Sequence, residues 1–146
     1  KDIVSYLLQL QPNLTEEEAL AVVGRSRSVE EAIDFVQNTD PLYPLFLQLV
    51  TEKNYFQYMK IAAKLVKLEL AGERFFFLLA TWLRDCSLQK EQKKLVNLPA
   101  KTLCKLPYSY EEMEKIVANM QLAYDRHTKM IHILEYLFLE ILENIA

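Results

Sequence analysis

Apolar positions recur with helical spacing from the first residues of the chain. Ile3, Val4, Leu7, Leu8 and Leu10 share one face between residues 2 and 10, and Pro12 with Asn13 ends that segment. Thr15 followed three residues later by Glu18 predicts a capping box, in which hydroxyl and carboxylate satisfy orphan backbone amides reciprocally. The helix it opens runs to about Gly24 with Ala19, Leu20, Val22 and Val23 inward. Ser28 then caps a third helix, with Glu30 and Glu31 in the first turn where the helix dipole favours anions. Its expected buried set is Val29, Ala32, Ile33, Phe35 and Val36. The pattern predicts a compact three-helix unit over residues 1–38.

Asn38, Thr39, Asp40 and Pro41 discourage helix continuation and mark a linker. The second unit, 41–146, is predicted to hold a helix from Pro44 to Glu52 and another from Asn54 to about Leu70, interrupted at Gly72. A helix from Glu73 follows and ends in the polar run Gln89 to Lys94. Phe75, Phe76, Phe77, Leu78, Leu79 and Trp82 make that helix apolar nearly all round, the pattern of an element packed on several sides. Pro99 and Pro107 assign 95–108 to loop with a short helix. A long helix from Ser109 through Tyr124 follows, then a break near His127 and Thr128. The last helix carries Met130, Ile131, Ile133, Leu134, Leu137, Phe138, Ile141 and Leu142. The prediction is an all-α chain of about eight helices, with Trp82, Phe76, Leu134, Leu137 and Phe138 as the core of the second unit.

Two glycines and five prolines in 146 residues supply too little turn chemistry for a many-stranded sandwich or barrel, which reinforces the helical reading. The net charge of -3 gives no global positive field for phosphate backbones or anionic lipid. Charge is segmental instead. Residues 1–40 carry three basic and eight acidic side chains, 84–105 six and two, and 106–146 three and seven. No apolar run reaches the ~18 to 20 residues of a membrane span, and Lys1 to Val4 carry no signal-peptide pattern. The missing initiator methionine suggests a piece of a longer chain. Cys86 and Cys104 read as reduced thiols of a cytoplasmic protein, in buried apolar roles.

Several short motifs carry a resemblance. Trp82, Leu83, Arg84 and Asp85 stand late in a helix, Val96, Asn97 and Leu98 follow, and Leu134, Glu135, Leu137, Phe138, Leu139, Ile141 and Leu142 form a leucine-rich end. Together they resemble the C-terminal collar of bacterial DNA polymerase III clamp-loader subunits, most like the delta-prime type. The three-helix unit, with Ser26 to Ala32, resembles the lid subdomain of an AAA+ ATPase. The chain departs from that pattern at His127, Thr128 and Lys129, where many clamp-loader chains have asparagine, an apolar residue and asparagine, so Thr128 is expected to cap the last helix. Arg27 stands where a glycine is usual. Glu30 stands where hydrolysing relatives place a sensor arginine, and a carboxylate there would repel a γ-phosphate.

The resemblance implies a non-catalytic assembly module without a cofactor, whose partners are other clamp-loader subunits of the gamma/tau and delta types. DNA and the sliding clamp would be met only indirectly, and a membrane not at all. Arg84 and Asp85 would form a polar pair at an intersubunit seam, with Lys90, Lys93 and Lys94 on its rim; without the resemblance they read as a local ion pair and solvated lysines.

Other chemistry is sparse. The two glycines stand 48 positions apart, so no phosphate-cradling loop is present in this sequence. His127 and His132 lie about 140° apart around a helix, poor geometry for one metal ion, and His132 with Glu135 is at most half of a carboxylate site. Neither cysteine has a neighbouring histidine in sequence to make a thiolate. A ubiquitin-binding module of the CUE or UBA type is the alternative for 14–36, since an acidic helix start and Glu30 to Val36 occur in both patterns, although the Met-Phe-Pro type of loop is missing before Thr15. The acidic third helix is a poor DNA reader.

Overall fold

The structure, a computed structural model, describes residues 2–37, 41–68, 71–89, 98 and 102–145. Among these residues the chain is all-helical. Its elements are α1 (Asp2–Leu10), α2 (Glu16–Arg25), α3 (Val29–Gln37), α4 (Leu42–Thr51), α5 (Tyr55–Val66), α6 (Ala71–Gln89), α7 (Tyr110–Asp125), α8 (Met130–Glu140) and a terminal 3-10 turn, Leu142–Asn144. No helix of the described residues is long and apolar enough to cross a membrane.

Local chemistry sets the helix starts. At α2, Thr15 Oγ1 accepts the Glu18 amide at 3.1 Å while Glu18 accepts the Thr15 amide at 2.9 Å. Ser109 and Glu112 repeat the device at α7, and the two Ser109 hydrogen bonds hold the Glu112 carboxyl below its ordinary range. Ser28 Oγ accepts the Glu31 amide ahead of α3, and Asn54 caps α5 through the Gln57 amide.

The end of α7 departs from the expected pattern. His127 adopts φ 70°, its amide bonds the Tyr124 carbonyl at 3.0 Å, and the Thr128 amide reaches back to Ala123 at 2.9 Å. This is a Schellman ending with histidine in the left-handed position that glycine usually fills, at a cost of roughly 1 kcal/mol. Thr128 is therefore spent on terminating α7. The residue at the N-cap of α8 is Lys129, without a side-chain cap, so the expected Thr128 cap is not found.

Two apolar clusters organise the packing. Val4, Leu7, Ala19, Val22 and Ala32 form one among α1, α2 and α3. The larger gathers α4 to α8 and contains Phe46, Tyr58, Phe75, Phe76, Trp82, Leu134, Leu137 and Phe138, all buried. Rings interlock in it: Phe75 meets Phe46 edge-on at 5.8 Å, and Tyr58 stacks at a tilt on Phe138 at 4.7 Å while donating to the Leu134 carbonyl at 2.6 Å.

Expectations change at Gly72, Val29, Leu20 and Phe56. Gly72 does not interrupt a helix but lies in the first turn of α6. Val29 is 55% exposed and Leu20 is also exposed, because each lies on the outward side of its short amphipathic helix. The aromatic stripe Tyr55, Phe56, Tyr58, Phe75, Phe76 and Phe77 reads from the sequence as core first and partner surface second, yet Phe56 is 74% exposed, whereas its helical neighbour Tyr58 is sealed. The expected linker residues Asn38, Thr39 and Asp40 lie outside the described residues.

A β-carbon added at Gly72 would fall 2.6 Å from Tyr124 Cζ and closer still to its hydroxyl, since the phenol of α7 lies across this turn. That ring is held edge-on against Phe76 at 5.7 Å, so yielding sacrifices a core contact. Gly72→Ala should therefore cost about 1 to 2 kcal/mol in urea unfolding, by overpacking. In a Tyr124→Leu background the same change should turn neutral or stabilising by up to about 1 kcal/mol, the helix preference of alanine over glycine. A stabilising single variant would show that the ring is not held there.

Candidate functional site

The polar residues of greatest interest converge on the second half of α6. Helical spacing turns Trp82, Asp85 and Cys86 inward while Arg84 points outward, and the inward three meet the segment that follows Leu98. Trp82 Nε1 donates to the Thr102 carbonyl at 2.9 Å. Asp85 Oδ2 accepts the Leu98 amide at 2.8 Å, and its Oδ1 accepts Arg84 Nη2 at 3.1 Å. The Cys104 amide donates to Cys86 Sγ at 3.4 Å. Three positions of one helix face thus fasten Leu98, Thr102 and Cys104 to α6.

Charge on Asp85 is tolerated because it is met. A carboxylate with no exposed surface has to be paired or bonded, and here a guanidinium and a backbone amide divide its two oxygens. The Arg84 side chain is 47% exposed, so its head is solvated while it reaches the buried partner.

Arg84 also lines an open groove of about 380 Å³ with Val23, Gly24, Ser26, Phe77, Thr81 and Tyr110. The groove sits where α2, α6 and the start of α7 meet. Thr81 Oγ1 shares its proton between the Phe77 carbonyl at 3.0 Å and the Gly24 carbonyl at 3.3 Å, Arg27 pairs with Glu73 at 3.4 Å, and the Arg74 guanidinium lies over the Phe35 ring at 4.5 Å. These contacts tie the three-helix unit to α6. Glu31 raises the already high Arg27 pKa further, first through a hydrogen bond and then through its charge, so Arg27 is a permanent cation of this seam. On the far wall, partial burial and the Glu114 carboxylate raise the Tyr110 phenol, against an opposing pull from Arg84.

No family model, curated protein or solved structure matches this chain. Arg84 and Asp85 are brought together as a pair, one exposed and one sealed. Lys90, Lys93 and Lys94, the expected rim, lie outside the described residues, as do Val96 and Asn97. Trp82, Phe76, Leu134, Leu137 and Phe138 are buried in the larger cluster. Among the described residues no group of three or more His, Cys, Asp or Glu gathers as a metal site. His132 is exposed beside an apolar recess formed with Met120, Ala123, Ile133 and Tyr136, and its neighbour Glu135 is engaged instead by the Tyr55 hydroxyl.

Sequence reasoning missed two features. The seam through Gly24, Thr81, Arg27, Glu73, Arg74 and Phe35 joins residues far apart in the chain, and no local pattern announces it. The approach of Cys86 to Cys104 was missed for the same reason; only the apolar phase of Cys86 on α6 was a signal.

Proposed function

We propose that the chain is a non-catalytic assembly module, the lid-plus-collar portion of a delta-prime-like clamp-loader subunit acting in the cytoplasm during DNA replication. One observation carries this reading: the Trp82 to Asp85 run on which the resemblance rests is put to structural use. Trp82 and Asp85 anchor a neighbouring segment, and Arg84 is left in solvent at the groove between α2 and α7. A helix that buries its anchors and exposes one arginine presents a rigid surface to a partner, and arginine is favoured at such contacts because its planar fork loses little freedom on binding.

In this reading the second unit packs beside the collars of gamma/tau-type and delta-type subunits, and the ring they form holds the ATPase domains around primed DNA while the sliding clamp is opened. Heterologous rings use head-to-tail contacts, which need not be self-complementary. The chain alone should therefore sediment as a monomer and co-sediment with a motor-subunit collar from the same source at ~50 µM, well above the micromolar constants of weak pairs. Arg84→Glu should weaken that association at least tenfold, about 1.4 kcal/mol, with unchanged helicity. Absence of co-sedimentation with both partner types would remove the clamp-loader reading.

A further inference from the structure

The two cysteines of the chain, 18 residues apart in sequence, are neighbours in space. Cys86 lies on α6 one turn beyond Trp82, and Cys104 lies two residues beyond Thr102, so the tryptophan hydrogen bond holds the segments in register. Their sulfurs stand 4.0 Å apart, and the Cys104 amide points at Cys86 Sγ. Cys86 is buried and Cys104 half-buried, which leaves one thiol of the pair open to small solutes. No other cysteine exists in the sequence to compete within the chain.

The geometry points to a reversible thiol oxidation site, in which a peroxide converts Cys86 and Cys104 into an intramolecular disulfide that fastens the Thr102–Leu106 segment covalently to α6. The sulfurs must close by about 2 Å to reach bonding distance.

The environments of the thiols set the order of events. Cys104 is held below an ordinary thiol pKa by its hydrogen bond with Cys86, against its partial burial, and the Lys53 ammonium adds to the effect. Cys86 is held up by the same sulfur contact, by burial and by the Asp85 carboxylate, against an opposing pull from the Cys104 amide. Cys104, the thiol that solvent reaches, is thus the attacking thiolate and the buried Cys86 the resolving thiol. In the first step the Cys104 thiolate attacks one peroxide oxygen, the O–O bond breaks, and hydroxide leaves, giving a sulfenic acid. In the second step the Cys86 sulfur displaces the sulfenic oxygen and the S–S bond forms. The Cys86 proton and the departing oxygen leave as water. Two thiols and one peroxide give one disulfide and two waters; each sulfur is oxidised by one electron and the peroxide is reduced by two. A dithiol reductant reverses the change.

The test uses the reduced wild-type chain, treated with hydrogen peroxide and then alkylated in denaturant. The expected product has lost about 2 Da, takes up no alkylating agent, yields one cross-linked peptide pair, and reverts with dithiothreitol. In unfolding urea, disulfide formation should be at least roughly tenfold slower, because the pairing and the acidity of Cys104 both depend on the fold. Two free thiols after peroxide, bridges only between chains, or a rate indifferent to urea would each overturn the proposal. With a sulfenic-acid trap, Cys86→Ala should accumulate the adduct at Cys104, while Cys104→Ala should leave Cys86 unlabelled; the opposite pattern would overturn the assigned order. The wild-type measurement decides the matter even if a variant fails to fold.

Discussion

Trp82→Ala is expected to cost ~3 to 5 kcal/mol of unfolding free energy, the range for truncating a large aromatic side chain in a well-packed core. Two losses combine. The indole has no exposed surface, so its removal leaves a void that the rings of α6 and the helices around it fill only in part. Its Nε1–H also anchors the Thr102 carbonyl, and that bond goes with it. Trp82→Phe separates the terms: most of the volume stays while the N–H is lost, so the expected cost is ~1 to 2 kcal/mol. Urea titrations followed by circular dichroism suit the comparison, because Trp82 is the only tryptophan and its variants lose the indole fluorescence. A cost below about 1 kcal/mol for Trp82→Ala would mean that α6 is not the central packed element.

That expectation was legible early because it depends on one helix. The run from Phe75 to Trp82 is apolar on too many sides for a surface helix, and its burial follows from periodicity alone. The capping boxes at Thr15 and Ser109 were equally readable, since each is complete within four residues. Gly72 misled because glycine lowers helix propensity by only about 1 kcal/mol, a penalty that packing overrides in a first turn closed over by Tyr124. Phe56 and Val29 misled in the other direction. Apolar character places a residue inward only if its angular position faces a neighbour, and a 9-residue helix such as α3 packs on one side alone. The site was less legible than the fold. Arg84 and Asp85 could be singled out as a polar pair, but not that one would be sealed on the Leu98 amide and the other left in the α2–α7 groove. That division depends on where the chain returns at Leu98, 13 residues beyond Asp85, which no local spacing specifies.

The division makes opposite predictions for adjacent residues. Asp85→Ala removes the acceptor of the Leu98 amide in a place where water does not replace it, and a buried donor left in that state costs ~1 to 3 kcal/mol. The guanidinium of Arg84 loses a partner in the same variant but remains half in solvent, so little further penalty arises from it. Arg84→Ala, conversely, leaves Asp85 bonded to the Leu98 amide and opens its other oxygen to water where the half-exposed guanidinium stood, so it should cost less than Asp85→Ala, about 1 kcal/mol. Asp85→Asn keeps an oxygen for the amide and should fall between them. Hydrogen exchange gives a local check: the Leu98 amide should exchange much faster in Asp85→Ala and nearly as in wild type in Arg84→Ala. If Arg84→Ala proved as costly as Asp85→Ala, the ion pair rather than the amide anchor would be what stabilises this end of α6. Arg84 would then be a structural residue and could not serve as the exposed contact that the assembly reading requires. If instead Arg84→Ala costs less stability than Asp85→Ala and weakens association with a partner collar, folding and binding are divided between the two side chains as their burial implies.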